Sequence, residues 1–188
     1  MRLVVLLILL ATAASAAVAR EKPAAKDPPA IGHMAPSDVP DMPYSDTVHD
    51  YDDWTVQQST AFVAAMTYSD GGEMFGLFCG KTCSYYTNPN IPCRIGSVTA
   101  GLLSGPGGSM AITLRCLHVK EEGQEEEFML IDEDVTDLLD GASRVSITIP
   151  LPDGTARVDI YSMKGAEQAQ QDMLNRADAR LASPGPTV

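Results

Sequence analysis

Positive charge is scarce in this sequence of 188 residues. The 13 Lys and Arg residues stand against 25 Asp and Glu residues, which gives a formal net charge of −12. A surface of this sign repels phosphate backbones and anionic lipid headgroups. We therefore expect no nucleic-acid partner and no binding to an anionic membrane. A basic partner stays open, although a solvated acidic surface explains the charge more simply.

Patterns typical of catalytic and phosphate-binding sites are also missing. The chain has neither the G-x-S-x-G nor the S-x-x-K motif of a serine nucleophile. The glycine-rich stretch 104–109 lacks the Lys-Ser/Thr pair of a phosphate-binding loop. The acidic residues near position 50 lack the spacing and glycine of a calcium loop. The sequence thus predicts no catalytic residue, no metal site and no cofactor.

Long hydrophobic runs are confined to the N-terminus. Arg2 precedes an apolar run from Leu3 to Leu10, and Ala14-Ser15-Ala16 offers the small residues of a signal-peptidase site. An uncleaved anchor is the alternative, but a spanning helix needs roughly 20 apolar residues. We expect residues 1–16 to be a cleaved signal peptide and the mature protein to be periplasmic or secreted, with no transmembrane segment after cleavage.

Four cysteines lie at positions 79, 83, 93 and 116. An even number in an exported chain predicts two disulfides. A metal site is the alternative, but the spacing is not that of a zinc ribbon. Strand alternation places Cys79 and Cys116 at the ends of two apolar rows. If both rows face the core, Cys79 pairs with Cys116 and Cys83 with Cys93, which is one of three possible connectivities.

Composition divides the mature chain into a linker, a domain and a tail. Residues 17–50 contain six prolines and few large apolar residues, so they predict a disordered Pro-rich linker. Residues 51–182 predict one disulfide-braced β domain, and residues 183–188 a short tail. The domain length suits a single core.

The domain pattern predicts three β-hairpins and two helices. Turn signals at 69–72, 104–108 and 152–154 each separate two strand-like segments. Asp132 is a candidate cap for a short helix that ends at Gly141, and helical spacing runs from Ala166 to Leu181. The predicted fold is mainly β: a small antiparallel β-sandwich or half-open barrel with a short helix, a C-terminal helix and two disulfides.

A candidate recognition loop follows the second cysteine. Tyr85, Tyr86, Asn88 and Asn90 lie in a segment that we expect a disulfide to close. Tyrosine offers a large contact area at low entropy cost, and a cross-linked loop is already ordered. These four residues are therefore predicted to bind a partner. The alternative is that the tyrosines pack on the core and the asparagines form turns.

One family resemblance rests on short motifs. A strand with Asp53-Trp54-x-Val56 and a late hairpin leading to Gly165-Ala166-x-x-Ala169 follow a signal peptide and a linker. Over residues 53–169 the chain resembles bacterial periplasmic domains of the invasion-associated locus B type. The resemblance implies a β-rich, non-enzymatic envelope protein and transfers no functional residue. The chain also has no N-x-[ST] sequon, which favours a bacterial periplasm.

These observations favour an exported, non-enzymatic binding or interaction module of the bacterial envelope, such as an inhibitor, an immunity protein or a chaperone-like protein. Its expected partner is another envelope or secreted protein. A periplasmic hydrolase that uses acidic residues is one alternative, since the chain is rich in carboxylates. A structural envelope protein is the other.

Overall fold

The computed structural model describes residues 46–121 and 124–182, with side chains over 46–117 and 128–181. The strands are β1 (Asp46–Tyr51), β2 (Trp54–Gln58), β3 (Val63–Tyr68), β4 (Met74–Cys79), β5 (Cys83–Asn88), β6 (Val98–Gly105), β7 (Gly108–Glu121), β8 (Gln124–Ile131), β9 (Arg144–Pro150) and β10 (Ala156–Ser162). The helices are α1 (Thr136–Leu139) and α2 (Ala166–Ala182). The predicted signal peptide, residues 17–45 of the predicted linker and the tail 183–188 lie outside the described residues.

The strands form one antiparallel sheet in the order β1-β2-β3-β4-β5-β8-β7-β6-β9-β10. β1 to β5 follow in chain order, and β8, β7 and β6 then lie beside β5 in reverse order. The hairpin β9-β10 completes the sheet next to β6. The predicted antiparallel β class, with a short helix, a C-terminal helix and two disulfides, is confirmed.

Glycine fixes the turns of the three predicted hairpins. Gly72 between β3 and β4, Gly108 at the start of β7, and Gly154 between β9 and β10 all have positive φ. Glycine enters this region of backbone space without the steric penalty of a Cβ. The turn signals in the sequence therefore located these hairpins correctly.

The two ends of the sheet meet at a junction that we call the closure. It joins residues 51–54, where β1 turns into β2, to residues 162–165, between β10 and α2. Trp54 Nε1 donates a hydrogen bond of 2.9 Å to the Ser162 carbonyl, and the Ser162 hydroxyl donates one of 2.6 Å to Asp53. β10 also contacts β3. The sheet is therefore folded over on itself.

Gly165 sets the close approach at the closure. Its φ is +87°, and a Cβ at this position would collide with the Tyr51 carbonyl. Only glycine meets both conditions without strain. The backbone of the β10-α2 corner can therefore lie directly against the β1-β2 turn.

Both faces of the central strands are buried, and each face has its own apolar cluster. Because successive side chains point to opposite faces, an uninterrupted apolar strand buries on both sides. The inner cluster, which also receives α2, includes Trp54, Val56, Ala65, Phe75, Leu77, Tyr85, Leu103, Leu114, Ile147, Tyr161, Ala169 and Met173. The second cluster contains Phe62, Ala64, Met66, Phe78, Tyr86, Leu117, Phe128 and Leu130.

The disulfides join different partners from those predicted. All four cysteines are bridged, but Cys79 pairs with Cys83 and Cys93 pairs with Cys116. The predicted pairs Cys79–Cys116 and Cys83–Cys93 are therefore wrong. Cys79 and Cys83 face each other directly in the β4-β5 hairpin, with Cα atoms 4.0 Å apart. This short-range pairing leaves Cys93, in the β5-β6 connection, to reach Cys116 on β7.

Two local assignments also differ. β1 begins at Asp46, inside the predicted linker, because residues 46–51 pair with β2 at the edge of the sheet. Asp132 does not cap α1, since it forms an ion pair with Arg115 at 2.5 Å. Asp134 instead accepts a hydrogen bond of 3.0 Å from the Thr136 amide at the start of the helix.

Candidate functional site

The predicted recognition loop is a central strand, β5, and both of its tyrosine rings are buried. Tyr85 and Tyr86 are 1% and 2% exposed, on opposite faces of the strand. Tyr85 stacks on Phe75 in the inner cluster with ring centroids 6.1 Å apart. Tyr86 packs edge-on against Phe78 in the second cluster at 5.9 Å. The expected exposed loop is therefore wrong, and both tyrosines follow the alternative in which they pack on the core.

The two asparagines lie beyond the end of the buried strand. Asn88 is half-buried and accepts a hydrogen bond of 3.2 Å from the Asn90 amide. Asn90 is exposed and has a φ of +52°, a backbone conformation in which asparagine is enriched. Their geometry is that of a turn, and the two tyrosine rings do not join them in one surface.

Four strands present a surface that no sequence motif indicated, and we call it the outer face. It belongs to the sheet end β7-β6-β9-β10 and consists of the residues that alternate with the core positions. Its members are Val98, Ala100, Leu102, Ser104, Ser109, Ala111, Thr113, Arg115, Arg144, Ser146, Thr148, Pro150, Ala156, Val158, Ile160 and Ser162.

Strand register aligns the outer face into rows. Ala111, Leu102, Thr148 and Val158 lie side by side across the four strands. At a strand spacing of about 4.8 Å, such a row is about 14 Å wide. A second row runs from Ser109 to Ile160. Leu102, Val158 and Ile160 are 42%, 55% and 54% exposed.

The outer face contains no carboxylate, although the chain has 25 acidic residues. Its two charged members are Arg115, which pairs with Asp132, and Arg144 at the start of β9. The other members are aliphatic, hydroxyl-bearing or proline side chains. Surface regions that are poor in charged residues and expose large aliphatic groups are typical of protein interaction sites.

The outer face ends at β10, whose second edge pairs with no strand among the described residues. The Met163 amide donates a hydrogen bond to the Ser143 carbonyl. In an antiparallel pair every second residue bonds to the neighbouring strand, so the odd-numbered residues of β10 bond to β9. The backbone amides and carbonyls of residues 158, 160 and 162 therefore point away from β9. The Ser162 carbonyl accepts its hydrogen bond from Trp54 Nε1 and not from β9, as this orientation requires.

A groove of about 380 Å³ runs along this edge. One wall is β10 and the other is the turn after β3; it is lined by Ser69, Asp70, Gly71, Glu73, Arg157, Val158, Asp159 and Ile160. Inside it, Arg157 bonds to Asp159 at 2.9 Å and also pairs with Glu73. With Asp70, three carboxylates thus line the groove beside one guanidinium.

The environments of the two inner carboxylates differ. The Ser69 hydroxyl donates a hydrogen bond that lowers the pKa of Glu73. Burial raises the pKa of Asp159, against the opposing effect of Arg157. Burial likewise raises the pKa of the neighbouring Tyr161, whose hydroxyl lies 3.2 Å from the Thr87 hydroxyl. The network fixes the turn after β3 against β10.

A second cavity of about 430 Å³ lies between α1 and the start of α2. Met163, Leu139 and the Tyr85 ring contribute apolar lining, and Asp137, Asp140 and Glu167 contribute carboxylates. Burial raises the pKa of the Tyr85 hydroxyl. Among the described residues, this cavity brings three carboxylates together beside an apolar wall.

Metal-binding and membrane-spanning features are both missing from the described ranges. There, no three His, Cys, Asp or Glu side chains group closely enough to hold a metal ion. None of the helices found there has the length and hydropathy of a membrane span.

Strand alternation is the sequence signal that could have indicated the outer face. In the segments 98–104, 144–150 and 156–162 the outer-face positions alternate with positions on the inner side of the sheet, and Arg144 is the one charged residue among these outer-face positions. Sequence alone does not show that β6 and β9 are neighbours, which is what joins the three segments in one surface.

Comparisons with known proteins do not add to this picture. No protein-family model, no curated protein and no solved structure matches the chain. The residues that carry the locus B-type resemblance, Asp53-Trp54 and Gly165, lie together at the closure. The surfaces of the chain itself are therefore the basis for inferring its function.

Proposed function

We propose that this protein is an exported, non-enzymatic interaction module of the bacterial envelope, and that it binds another envelope or secreted protein through the outer face. The observation that carries the proposal is a four-strand surface with exposed aliphatic residues and no carboxylate, on a chain of net charge −12. Burying the aliphatic rows of such a surface removes apolar area from water without burying a carboxylate.

Export is supported by the N-terminal sequence and by the two disulfides. Disulfides persist in oxidising compartments such as the periplasm and are rare in the cytosol. The resemblance to locus B-type periplasmic domains and the signal-like residues 1–16 favour the bacterial periplasm.

The first prediction concerns export and is measured by intact mass. The full chain is expressed in a bacterial host and purified from the periplasmic fraction. We expect a mass that begins at Ala17 or Arg20, because signal peptidase cuts after small residues. A periplasmic protein that retains residues 1–16 would contradict signal cleavage.

The binding proposal is tested with a pair of matched variants. Leu102→Glu places a charge in the middle of the outer face, and Leu181→Glu places the same charge on α2, at a residue 48% exposed against 42% for Leu102. Both should fold, since each side chain is more than 40% exposed. Wild type and both variants are immobilised, and proteins captured from an envelope extract are quantified by mass spectrometry.

We expect wild type and Leu181→Glu to capture one partner protein equally. Leu102→Glu should capture at least about tenfold less of it, which corresponds to the loss of an interface contact worth at least about 1.4 kcal/mol. Equal capture by all three would exclude the outer face. Analytical sedimentation of the same three proteins tests whether the partner is a second copy of this chain. In that case wild type would be a dimer and Leu102→Glu a monomer.

A hydrolase is the second candidate, and the cavity between α1 and α2 is the observation that favours it. Three carboxylates and Tyr85 line a space large enough for a small substrate. Release of product from peptidoglycan or peptide by wild type, lost in both Asp140→Asn and Glu167→Gln, would favour this function over binding.

A further inference from the structure

The free edge of β10 adds a second recognition element beside the outer face. We infer that the partner docks by adding an extended strand to this edge, and that this strand carries a basic residue between two apolar residues. The inference deepens the proposed function and rests on it.

Backbone geometry supplies the first step. The amides and carbonyls of Val158 and Ile160 point outward from β10, and no strand pairs with them in the described part of the chain. Such a row of free groups is a template for an added strand. An extended segment of another protein can therefore continue the sheet here.

Side-chain alternation then specifies what the added strand carries. Residues that hydrogen-bond to Val158 and Ile160 place their side chains on the same face as these two, because partners across a ladder share a face. Val158 and Ile160 are more than half exposed on the outer face. Apolar side chains at these two positions of the partner would cover them.

The intervening residue of the added strand points to the groove side, next to Asp159. Asp70, Glu73 and Asp159 line the groove, and Arg157 is the single cation that lines it among the residues that the structure describes. The local formal charge is −2, from three carboxylates and one guanidinium. A Lys or Arg side chain at this position neutralises part of that charge, and the −12 charge of the whole chain favours the same partner.

The same charge argues against a second copy of this chain as the occupant. If two β10 strands paired antiparallel around a two-fold axis between Val158 and Ile160, the Asp159 carboxylates of both copies would lie directly opposite each other. Like charges at opposed positions are destabilising. The charge at this edge therefore favours a strand with a basic residue and disfavours pairing with β10 of a second copy.

The probe is a fluorescein-labelled nine-residue peptide of alternating valine and lysine, with binding to the wild-type protein measured by fluorescence anisotropy. A valine–glutamate peptide tests charge. Two N-methylated forms test strand addition: methyl groups on the valine amides block the groups that would face β10, whereas methyl groups on the lysine amides point away from it.

We expect the valine–lysine peptide to bind at least about tenfold more tightly than the valine–glutamate peptide. N-methylation at valine should abolish binding, and N-methylation at lysine should leave it nearly unchanged. Loss of the charge preference in Asp70→Lys would place the basic residue in the groove. Equal binding of both N-methylated forms, or no binding of the unmethylated peptide up to 1 mM (on the order of 4 kcal/mol), overturns the inference.

A protein variant links this edge to the natural partner. Ile160→Pro removes an outward amide that β9 does not use, so the protein should keep its melting temperature within a few degrees.

Partner capture lost in both Ile160→Pro and Leu102→Glu supports strand addition. Capture lost in Leu102→Glu alone overturns strand addition and leaves the outer face as the binding site. Capture retained in both overturns the proposed function as well. A dimer that Ile160→Pro disperses would identify a second copy as the occupant and overturn the heterologous strand.

Discussion

At the scale of single residues, Glu73 connects two parts of the fold through one carboxylate. The Ser69 hydroxyl holds it from the turn after β3, and Arg157 holds it from β10. The side chain is 8% exposed, so these partners replace most of its water. The pKa of Glu73 is lowered, chiefly by the hydrogen bond from Ser69.

A lowered carboxyl pKa makes a prediction about pH and stability. Because the folded-state pKa of Glu73 lies below its ordinary value of 4.5, the ionised form stabilises the fold above that pH. This contribution is lost as the pH falls through the folded-state pKa. Glu73→Gln should therefore lower the free energy of unfolding by about 1–3 kcal/mol at pH 7, with a smaller difference at pH 3.

Chemical denaturation of wild type and Glu73→Gln at both pH values measures this effect. Asp70→Asn is the control, since Asp70 is exposed and neighbours the same turn. A difference between wild type and Glu73→Gln that grows on acidification would contradict the assigned role.

The two buried tyrosines make a second residue-scale prediction. Tyr85→Ala and Tyr86→Ala should each lower the free energy of unfolding by about 3–5 kcal/mol, because each leaves a cavity in a different cluster. Tyr68→Ala, at a ring 49% exposed, should cost about 1 kcal/mol or less. A normal melting temperature for either core variant would return that ring to the candidate binding residues.

At the scale of elements, β5 marks a limit of prediction from sequence. Its six residues are Cys83-Ser84-Tyr85-Tyr86-Thr87-Asn88, a polar and aromatic set followed by Pro89 and Asn90. Such a composition is typical of loops. β5 is nevertheless a strand, because β4 and β8 flank it and both of its faces are covered. A strand buried on both faces lacks the alternation that identifies a strand in sequence.

The predicted hairpins and α2 succeeded for local reasons. Gly72, Gly108 and Gly154 mark turns through backbone preference alone, and Ala169, Met173 and Ala177 keep helical spacing on one buried face. The disulfide pairs and the outer face depend on which strands become neighbours. That information lies in packing between distant segments, so one sequence could not supply it.

Disulfide connectivity gives a prediction at this scale. Without reduction, trypsin cuts after Lys81, Arg94 and Arg115, and Cys79–Cys83 with Cys93–Cys116 should leave three peptides linked together. Further cleavage by chymotrypsin after Tyr85 and Tyr86 should divide this species into two linked pairs, one for each disulfide. A Cys83–Cys93 bridge would instead keep one tryptic peptide internally linked.

At the scale of the whole molecule, the closure holds the folded sheet together. Gly165→Ala should lower the free energy of unfolding by about 2–5 kcal/mol, since it adds backbone strain and a collision with Tyr51. Gly154→Ala is the matched control: its φ of +85° is nearly the same, but a Cβ there meets no atom within 4 Å. It should cost about 1–2 kcal/mol. Equal losses in both variants, measured by urea denaturation, would mean that the contact at the closure contributes little.

The closure also orders events in time. Trp54 and Ser162 are 108 residues apart in the chain, yet they share a hydrogen bond across it. Both synthesis and the proposed export deliver the N-terminal residues first, so Trp54 reaches the folding compartment before Ser162 does. During that interval β1 to β5 can form as successive hairpins, but the ends of the sheet stay apart. The closure can therefore form only after residues 162–165 have been delivered, and any truncation before Gly165 would remove its contact with the β1-β2 turn.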